Sequence, residues 1–224
     1  LKTGKGDNYI IKEQRDGHEE YLELVKAPTI DENQTISGII GLVTDVTERY
    51  IFQQELERES QTDALTSLLN RKTSEELIRI VLKESLEEKT PCALLMIDVD
   101  DFKRINDTFG HAAGDQVLAT IGQVLRENSR SMDVAGRMGG DEFLILLRNI
   151  ASSEDVHRIA ERIWKKVALA LISYSSSASV TLSIGSALFP THGTDFDTLY
   201  RAADSALYCA KAKGKNRLQM HQDK

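Results

Sequence analysis

Two acidic groups stand where apolar runs begin or end. CALLMI, residues 92–97, passes directly into Asp98, and FLILL, residues 143–147, follows Gly139, Gly140, Asp141 and Glu142. FLILL has no polar alternation, which marks a strand covered on both faces. Carboxylates desolvated beside such a core are costly unless a cation neutralises them. If the two runs are neighbouring strands, Asp98 and Asp141 face each other across the sheet end. Two hard oxygen ligands, backbone carbonyls and a bound phosphate suit Mg²⁺. The chemistry would then be metal-assisted phosphoryl or nucleotidyl transfer. The alternative is that these acids are turn residues or partners of lysines. Gly139-Gly140 favours a two-residue hairpin turn and lets another molecule approach the backbone without meeting a Cβ.

The stretch DFKRINDTFGHAAGDQVL, residues 101–118, adds candidate ligand contacts. Lys103 falls in the first turns of a short helix, placed to meet a phosphate. Asn106 and Asp115 can read a base edge, because a carboxylate accepts from guanine N1–H and N2–H, a donor pair that adenine lacks. Equally, Asn106 would cap a turn and Asp115 would cap a helix beginning at Gln116. His111 follows Gly110 in a loop, where an exposed histidine is the ordinary outcome.

These groups need a scaffold. Strands predicted at Cys92–Ile97, Asp133–Met138 and Glu142–Leu147 lie side by side, the last two joined by the glycine turn, with helices on the faces. SEELIRIVLKESLEE and SEDVHRIAERIWKKVALAL have helical spacing, and GDQVLATIGQVLREN gathers Val117, Leu118, Ile121 and Leu125 on one side. SVTLSIGSALF reads as a strand, DFDTLYRAADSALYCAKAKG as a helix stopped by Gly214, and KNRLQM as a final edge strand. The first ~45 residues read differently. Asp16-Gly17 and DENQTISG punctuate a three-stranded antiparallel meander, too small to bury a sound core alone. Asp45 and Glu48 then open a charged helix. It is either a solvated linker or a short parallel coiled coil that transmits a signal.

Composition bounds the function. The 224 residues are 41% hydrophobic and 28% charged, as in a water-soluble globular protein, and the net charge of −7 argues against general attraction to nucleic acid or anionic membrane. Cys92 and Cys209 sit in apolar patterns, which fits a reducing, cytoplasmic setting without disulfides. No apolar run approaches the ~18 residues of a membrane span. The chain begins at Leu1 without Met, so a fragment is expected, with any membrane anchor lying upstream.

Taken together, these residues resemble the GGDEF family of diguanylate cyclases. GGDEF stands intact at 139–143; DVDDFKRINDTFGHAAGD, DALTSLLNR and RAADSALYCAKAKGKNR resemble the family's binding stretch, opening segment and closing helix. The resemblance implies an α+β fold, a palm-like, mostly antiparallel central sheet flanked by helices, over residues 62–224. Residues 1–47, ending in GLVTDVTE, resemble the C-terminal part of a PAS sensory domain, and 48–61 would be the linker helix. The implied reaction joins two GTP into cyclic di-GMP and two pyrophosphates across an antiparallel homodimer. By motif, Asp98, Asp141 and the carbonyl of Val99 would hold Mg²⁺, or alternatively Mn²⁺. Asp141 would also act as general base or orient the metal, with Glu142 in the same cluster. Lys103, Lys211 and Lys215 would meet phosphates, Gly139 and Gly140 would let them lie against backbone, and Asn106 and Asp115 would hold guanine with His111 nearby.

RSMD, residues 130–133, matches the family's inhibitory motif in type and offset. The resemblance implies that Arg130 and Asp133 bind the cyclic di-GMP product and lock the domains in a non-productive arrangement. Two departures stand out: Asp101, where the family often carries a bulkier residue, and Lys215, where many relatives carry Arg. Three other functions compete. A non-catalytic cyclic di-GMP or GTP receptor would ordinarily have damaged acids; a nucleotidyl cyclase of other specificity would lack the guanine readers; a pure dimerisation module would need neither.

Overall fold

The structure is a computed structural model that describes residues 7–15, 18–30, 35–52, 61–150, 152–172 and 180–222. The chain divides into two compact units, residues 1–59 and 60–224.

In the first unit, β1 (Asp7–Arg15), β2 (His18–Ile30) and β3 (Ile36–Asp45) form an antiparallel sheet in the order β1-β2-β3. Arg15 pairs with His18, so the β1–β2 connection has hairpin length, although Asp16 and Gly17 themselves lie outside the described residues. Alternate residues of a strand point to opposite faces. Ile40 and Leu42 are exposed on one face of β3, and Ile39 and Val43 on the other. Residues 47–52 are helical, and Asp45 caps them by accepting the amide and hydroxyl of Thr47 at 2.9 and 2.6 Å, with no bond to Glu48. The rest of the expected linker helix, and the coiled-coil alternative with it, falls largely on residues 53–60, outside the described residues.

The second unit runs α1 (Arg71–Glu88), β4 (Cys92–Val99), α2 (Phe102–Phe109), α3 (His111–Asn128), β5 (Val134–Gly139), β6 (Glu142–Arg148), α4 (Ser153–Ala170), β7 (Leu182–Phe189), α5 (Phe196–Ala212) and β8 (Leu218–Met220). Its sheet has the order β5-β6-β4-β7-β8, antiparallel except for the β7–β8 pair. This is the expected architecture, with β8 on the edge.

Period-two alternation explains why apolar runs form its centre. Every residue of β4 is buried. Ala93, Leu95, Ile97 and Val99 join a core with α3 and α4, while Cys92, Leu94 and Met96 join a second core with α1 and α5. Truncating Leu95, which is 0% exposed, to Ala would cost about 2–5 kcal/mol. Side-chain caps start three of the helices: Asn70 for α1, Ser152 for α4 and Asp195 for α5. Gly214, at φ 107°, follows the C-cap of α5 as expected.

Candidate active site

Asp98 lies near the end of β4 and is only 5% exposed. Its Oδ2 receives the ammonium of Lys211 from α5 at 2.6 Å. Burial nevertheless dominates: it pushes the carboxyl up to about 6 against the pull of Lys211, with Asp141 and Glu142 pushing the same way. The three acids therefore share one field. Their register differs from the expectation. Glu142, not Asp141, is the cross-strand partner of Asp98, and Asp141 sits one step on, its carbonyl accepting the Val99 amide at 3.2 Å.

The offset arises in the hairpin. Gly139 still pairs with Glu142, so the loop residues are Gly140 and Asp141 rather than Gly139 and Gly140. A register shift between Arg137 and Gly139 absorbs Met138 as an extra residue, as in a β-bulge. Gly139 and Gly140 have φ of 136° and 54°, backbone that disfavours any side chain. A Cβ added at either would meet nothing within 4 Å, so both glycines face open space.

The turn is braced from behind. Arg137 donates to the Gly140 carbonyl from Nε at 3.1 Å and from Nη2 at 2.7 Å. Its Nη1 reaches both oxygens of Asp63 at 3.0 and 3.1 Å. Burial would raise the Asp63 carboxyl, but hydrogen bonds from Thr66 and Arg137 hold it below the ordinary range. The segment DALTSLLNR is thereby tied to the acidic hairpin. Asp63, Arg137 and the buried Asp100 were not identified as site residues from sequence. Asp100 accepts from Thr181 Oγ1, Ser183 Oγ and the Asn216 amide at 2.7, 2.6 and 3.0 Å, fastening β7 and the loop after α5 to the end of β4.

Two short-range expectations for the α2–α3 segment are corrected. Gly110, at φ 84°, separates the helices in a single residue, so His111 is the exposed first residue of α3 and not a loop residue. Asp115 lies inside α3 and is exposed, so it is not a helix cap. Asn106 lies within α2, and its buried Oδ1 has no hydrogen-bond partner. Gly114 makes room for it: a Cβ there would fall 1.9 Å from that oxygen. An enclosed amide oxygen without a donor is costly unless a ligand completes it. Lys103 is exposed on α2, and Lys215 pairs with Asp101 at 2.6 Å.

Arg130 and Asp133 lie apart from these acids, immediately before β5. They border an open cavity with Thr62, Leu69 and Arg126. Asp133 accepts the Arg130 amide at 2.8 Å and the Arg148 amide at 3.1 Å, which fixes its carboxylate. Among the described residues, no three His, Cys, Asp or Glu side chains group closely enough to enclose a metal ion, and no helix is long and apolar enough to cross a membrane. A cation held at Asp98 and Asp141 would need backbone or ligand oxygens as well.

Comparison with known proteins agrees with the fold of the second unit. The family profile described as "Diguanylate cyclase, GGDEF domain" matches residues 60–217. Diguanylate cyclase DosC of Escherichia coli K12 is 39% identical over 188 residues, covering 83% of this chain and 39% of DosC. Diguanylate cyclase TpbB of Pseudomonas aeruginosa UCBPP-PA14 is 42% identical over 166 residues, covering 73% of this chain and 38% of TpbB. The chain thus spans well under half the length of these curated relatives. Among solved structures, the coiled coil and GGDEF domain of Caulobacter crescentus DgcB in complex with c-di-GMP is 29% identical with a TM-score of 0.71, covering 78% of this chain and 93% of that one. The GGDEF domain of Pseudomonas aeruginosa PAO1 TpbB is 38% identical with a TM-score of 0.65, covering 72% and 94%.

Proposed function

The chain belongs to the GGDEF family of diguanylate cyclases, and on that premise we propose that it condenses two GTP into cyclic di-GMP with release of two pyrophosphates. The observation that carries the reading is Asp98: a buried carboxylate at a strand end, crowded by Asp141 and Glu142, with a lysine as its counter-ion. Such a concentration of charge suits a cation and a polyphosphate better than it suits a resting core.

The donor set of Asp98, Asp141 and the Val99 carbonyl is all hard oxygen and fits Mg²⁺, or alternatively Mn²⁺. When bound, such an ion polarises phosphoryl oxygens and lowers the pKa of a nearby hydroxyl. Asp141, at the hairpin tip, takes the proton of the attacking 3′-hydroxyl as its oxygen bonds to the α-phosphorus of the other nucleotide and pyrophosphate leaves. Glu142 completes the acidic cluster. Lys103, Lys211 and Lys215 neutralise phosphate charge, and the open faces of Gly139 and Gly140 let phosphates lie against backbone. The unpartnered Asn106 oxygen and the exposed Asp115 hold guanine, with His111 beside them.

One bound nucleotide per domain requires two copies, facing each other antiparallel. Arg130 and Asp133 hold the product and lock the copies in a non-productive arrangement. The meander of the first unit, with apolar side chains on both faces of β3, is the closing part of a PAS sensory domain that supplies the input. Intact acids speak against a purely non-catalytic receptor.

The test is direct. Purified protein with GTP and Mg²⁺ should release pyrophosphate and form cyclic di-GMP, with a rate rising more steeply than linearly in protein at low concentration. Asp141→Ala should abolish turnover while the fold persists. Normal turnover in that variant, or no cyclic di-GMP from the wild type, would refute the reading.

A further inference from the structure

The ion pair between Lys215 and Asp101, at 2.6 Å, joins side chains that are 41% and 46% exposed. Both residues are held in left-handed backbone, Asp101 at φ 54° and Lys215 at φ 60°. Lysine adopts that region only under constraint. The residues next to them in sequence, Asp100 and Asn216, are joined by a part-buried hydrogen bond from the Asn216 amide to Asp100 at 3.0 Å. That bond fixes the two chain segments side by side and brings the neighbouring side chains, 101 and 215, within reach.

Asp101 also stands at the N-cap position of α2 yet makes no side-chain capping bond. An aspartate there ordinarily accepts a first-turn amide. Here the carboxylate turns to Lys215 instead. Lys211 is likewise engaged, by Asp98. Both lysines on and just after α5 that face the acidic end of the sheet are therefore occupied by carboxylates of the 98–101 segment.

We propose that Asp101 is an internal competitor for Lys215, a carboxylate in the place of a nucleotide phosphate, which sets how tightly this chain binds a nucleoside triphosphate. The proposal rests on the reading above that Lys215 meets a phosphate. One ammonium cannot serve the carboxylate and a phosphate oxygen equally well in a single geometry, so the triphosphate must displace Asp101. Apparent affinity then falls by the fraction of molecules in which Lys215 is free. A pair this exposed is weak, so the affinity is trimmed rather than abolished.

Calorimetric titration with 3′-deoxy-GTP and Mg²⁺, a nucleotide that lacks the attacking hydroxyl, tests this across wild type, Asp101→Asn, Lys215→Ala and the double variant. Asparagine tolerates left-handed backbone as aspartate does, so the local chain path is kept. Asp101→Asn should bind about two- to fivefold more tightly than wild type. Lys215→Ala should bind more weakly, and in that background Asp101→Asn should bring no further gain. A gain of equal size in both backgrounds would mean general charge repulsion and would overturn the competition, as would no gain in the single variant. If Lys215→Ala leaves affinity unchanged, the fault lies instead with the phosphate role of Lys215, and the competition falls with it.

Discussion

The ammonium of Lys211 lies 2.6 Å from Oδ2 of Asp98, pairing a cation on α5 with a carboxylate that β4 has carried almost wholly out of solvent. The pairing does not compensate for the burial, since Asp98 still sits at about 6. An acid whose ionisation is resisted by burial is being kept beside two others at one end of the sheet. A fold selected for stability alone would have placed an uncharged residue there.

That imbalance sets a pH dependence. The folded value of about 6 lies above the ordinary 3.8, so the folded state holds the proton more firmly than the unfolded chain does. The favourable contribution is complete below about pH 4 and is lost as pH rises through 6. At neutral pH the ionised group destabilises the protein by an amount on the order of 2–3 kcal/mol. In chelator-containing buffer, Asp98→Asn should therefore unfold about 4–10 °C higher than wild type at pH 7.5 and at nearly the same temperature at pH 4. The same variant should make no cyclic di-GMP. Thermal scans at the two pH values decide it; equal midpoints at pH 7.5 would show that Lys211 fully offsets the burial.

Arg137 invites a separation of stability from activity. Its side chain is 13% exposed and its guanidinium serves three acceptors: both oxygens of Asp63 and the carbonyl of Gly140. Arg137→Met would leave the Gly140 carbonyl without these donors and Asp63 with only its Thr66 hydrogen bonds, costing about 2–3 kcal/mol. Arg137→Lys keeps the charge but cannot fork, so it should recover only part of the loss. Because the hairpin tip carries Asp141, turnover should fall by about tenfold or more in both variants, even at temperatures where both are fully folded. Amide hydrogen exchange at Gly140 and Asp141 should quicken in parallel; unchanged exchange with unchanged turnover would reduce the contact to a purely structural brace.

What was legible in the sequence follows from the range of each interaction. The neighbourhood of β4 and β6 could be read because two runs without polar alternation have to be covered on both faces. The Gly214 stop could be read because it is local. The hairpin was placed one residue off because the extra Met138 lies in an apolar pattern that looks continuous. The start of α3 was missed because Gly110 ends one helix and begins the next without a side-chain cap. Asp100 and Arg137 were opaque for another reason. The partners of Asp100 lie 81, 83 and 116 residues away and Asp63 lies 74 from Arg137, and only the folded sheet brings them together.

The cavity beside β5 yields a prediction that does not touch the acids. Asp133 is fixed by two backbone amides, whereas the exposed guanidinium of Arg130 is available for a forked contact to phosphate. Arg130→Ala should leave the initial rate of pyrophosphate release nearly unchanged and raise the cyclic di-GMP concentration needed for half-inhibition by about tenfold or more, as loss of a charged contact implies. Progress curves with added product read this directly. Inhibition identical to wild type would remove Arg130 from product binding.

Gly114 offers the sharpest test of base recognition. A methyl group there would fall 1.9 Å from Oδ1 and 3.0 Å from Cγ of Asn106, and 3.2 Å from Cζ of Phe102, so the Asn106 side chain must move. The helix itself favours the change, since alanine is better than glycine in a helix interior by about 1 kcal/mol. Gly114→Ala should accordingly unfold within a few degrees of wild type while losing its grip on guanine. An enzyme that holds a base by buried polar groups discriminates strongly against analogues that leave those groups unpaired. The ratio of kcat/KM for GTP to that for ITP, which lacks the exocyclic amine, should fall by about tenfold or more. A ratio equal to wild type, in a variant shown to be folded, would mean that the enclosed Asn106 oxygen does not face the base, and that selection of guanine rests elsewhere.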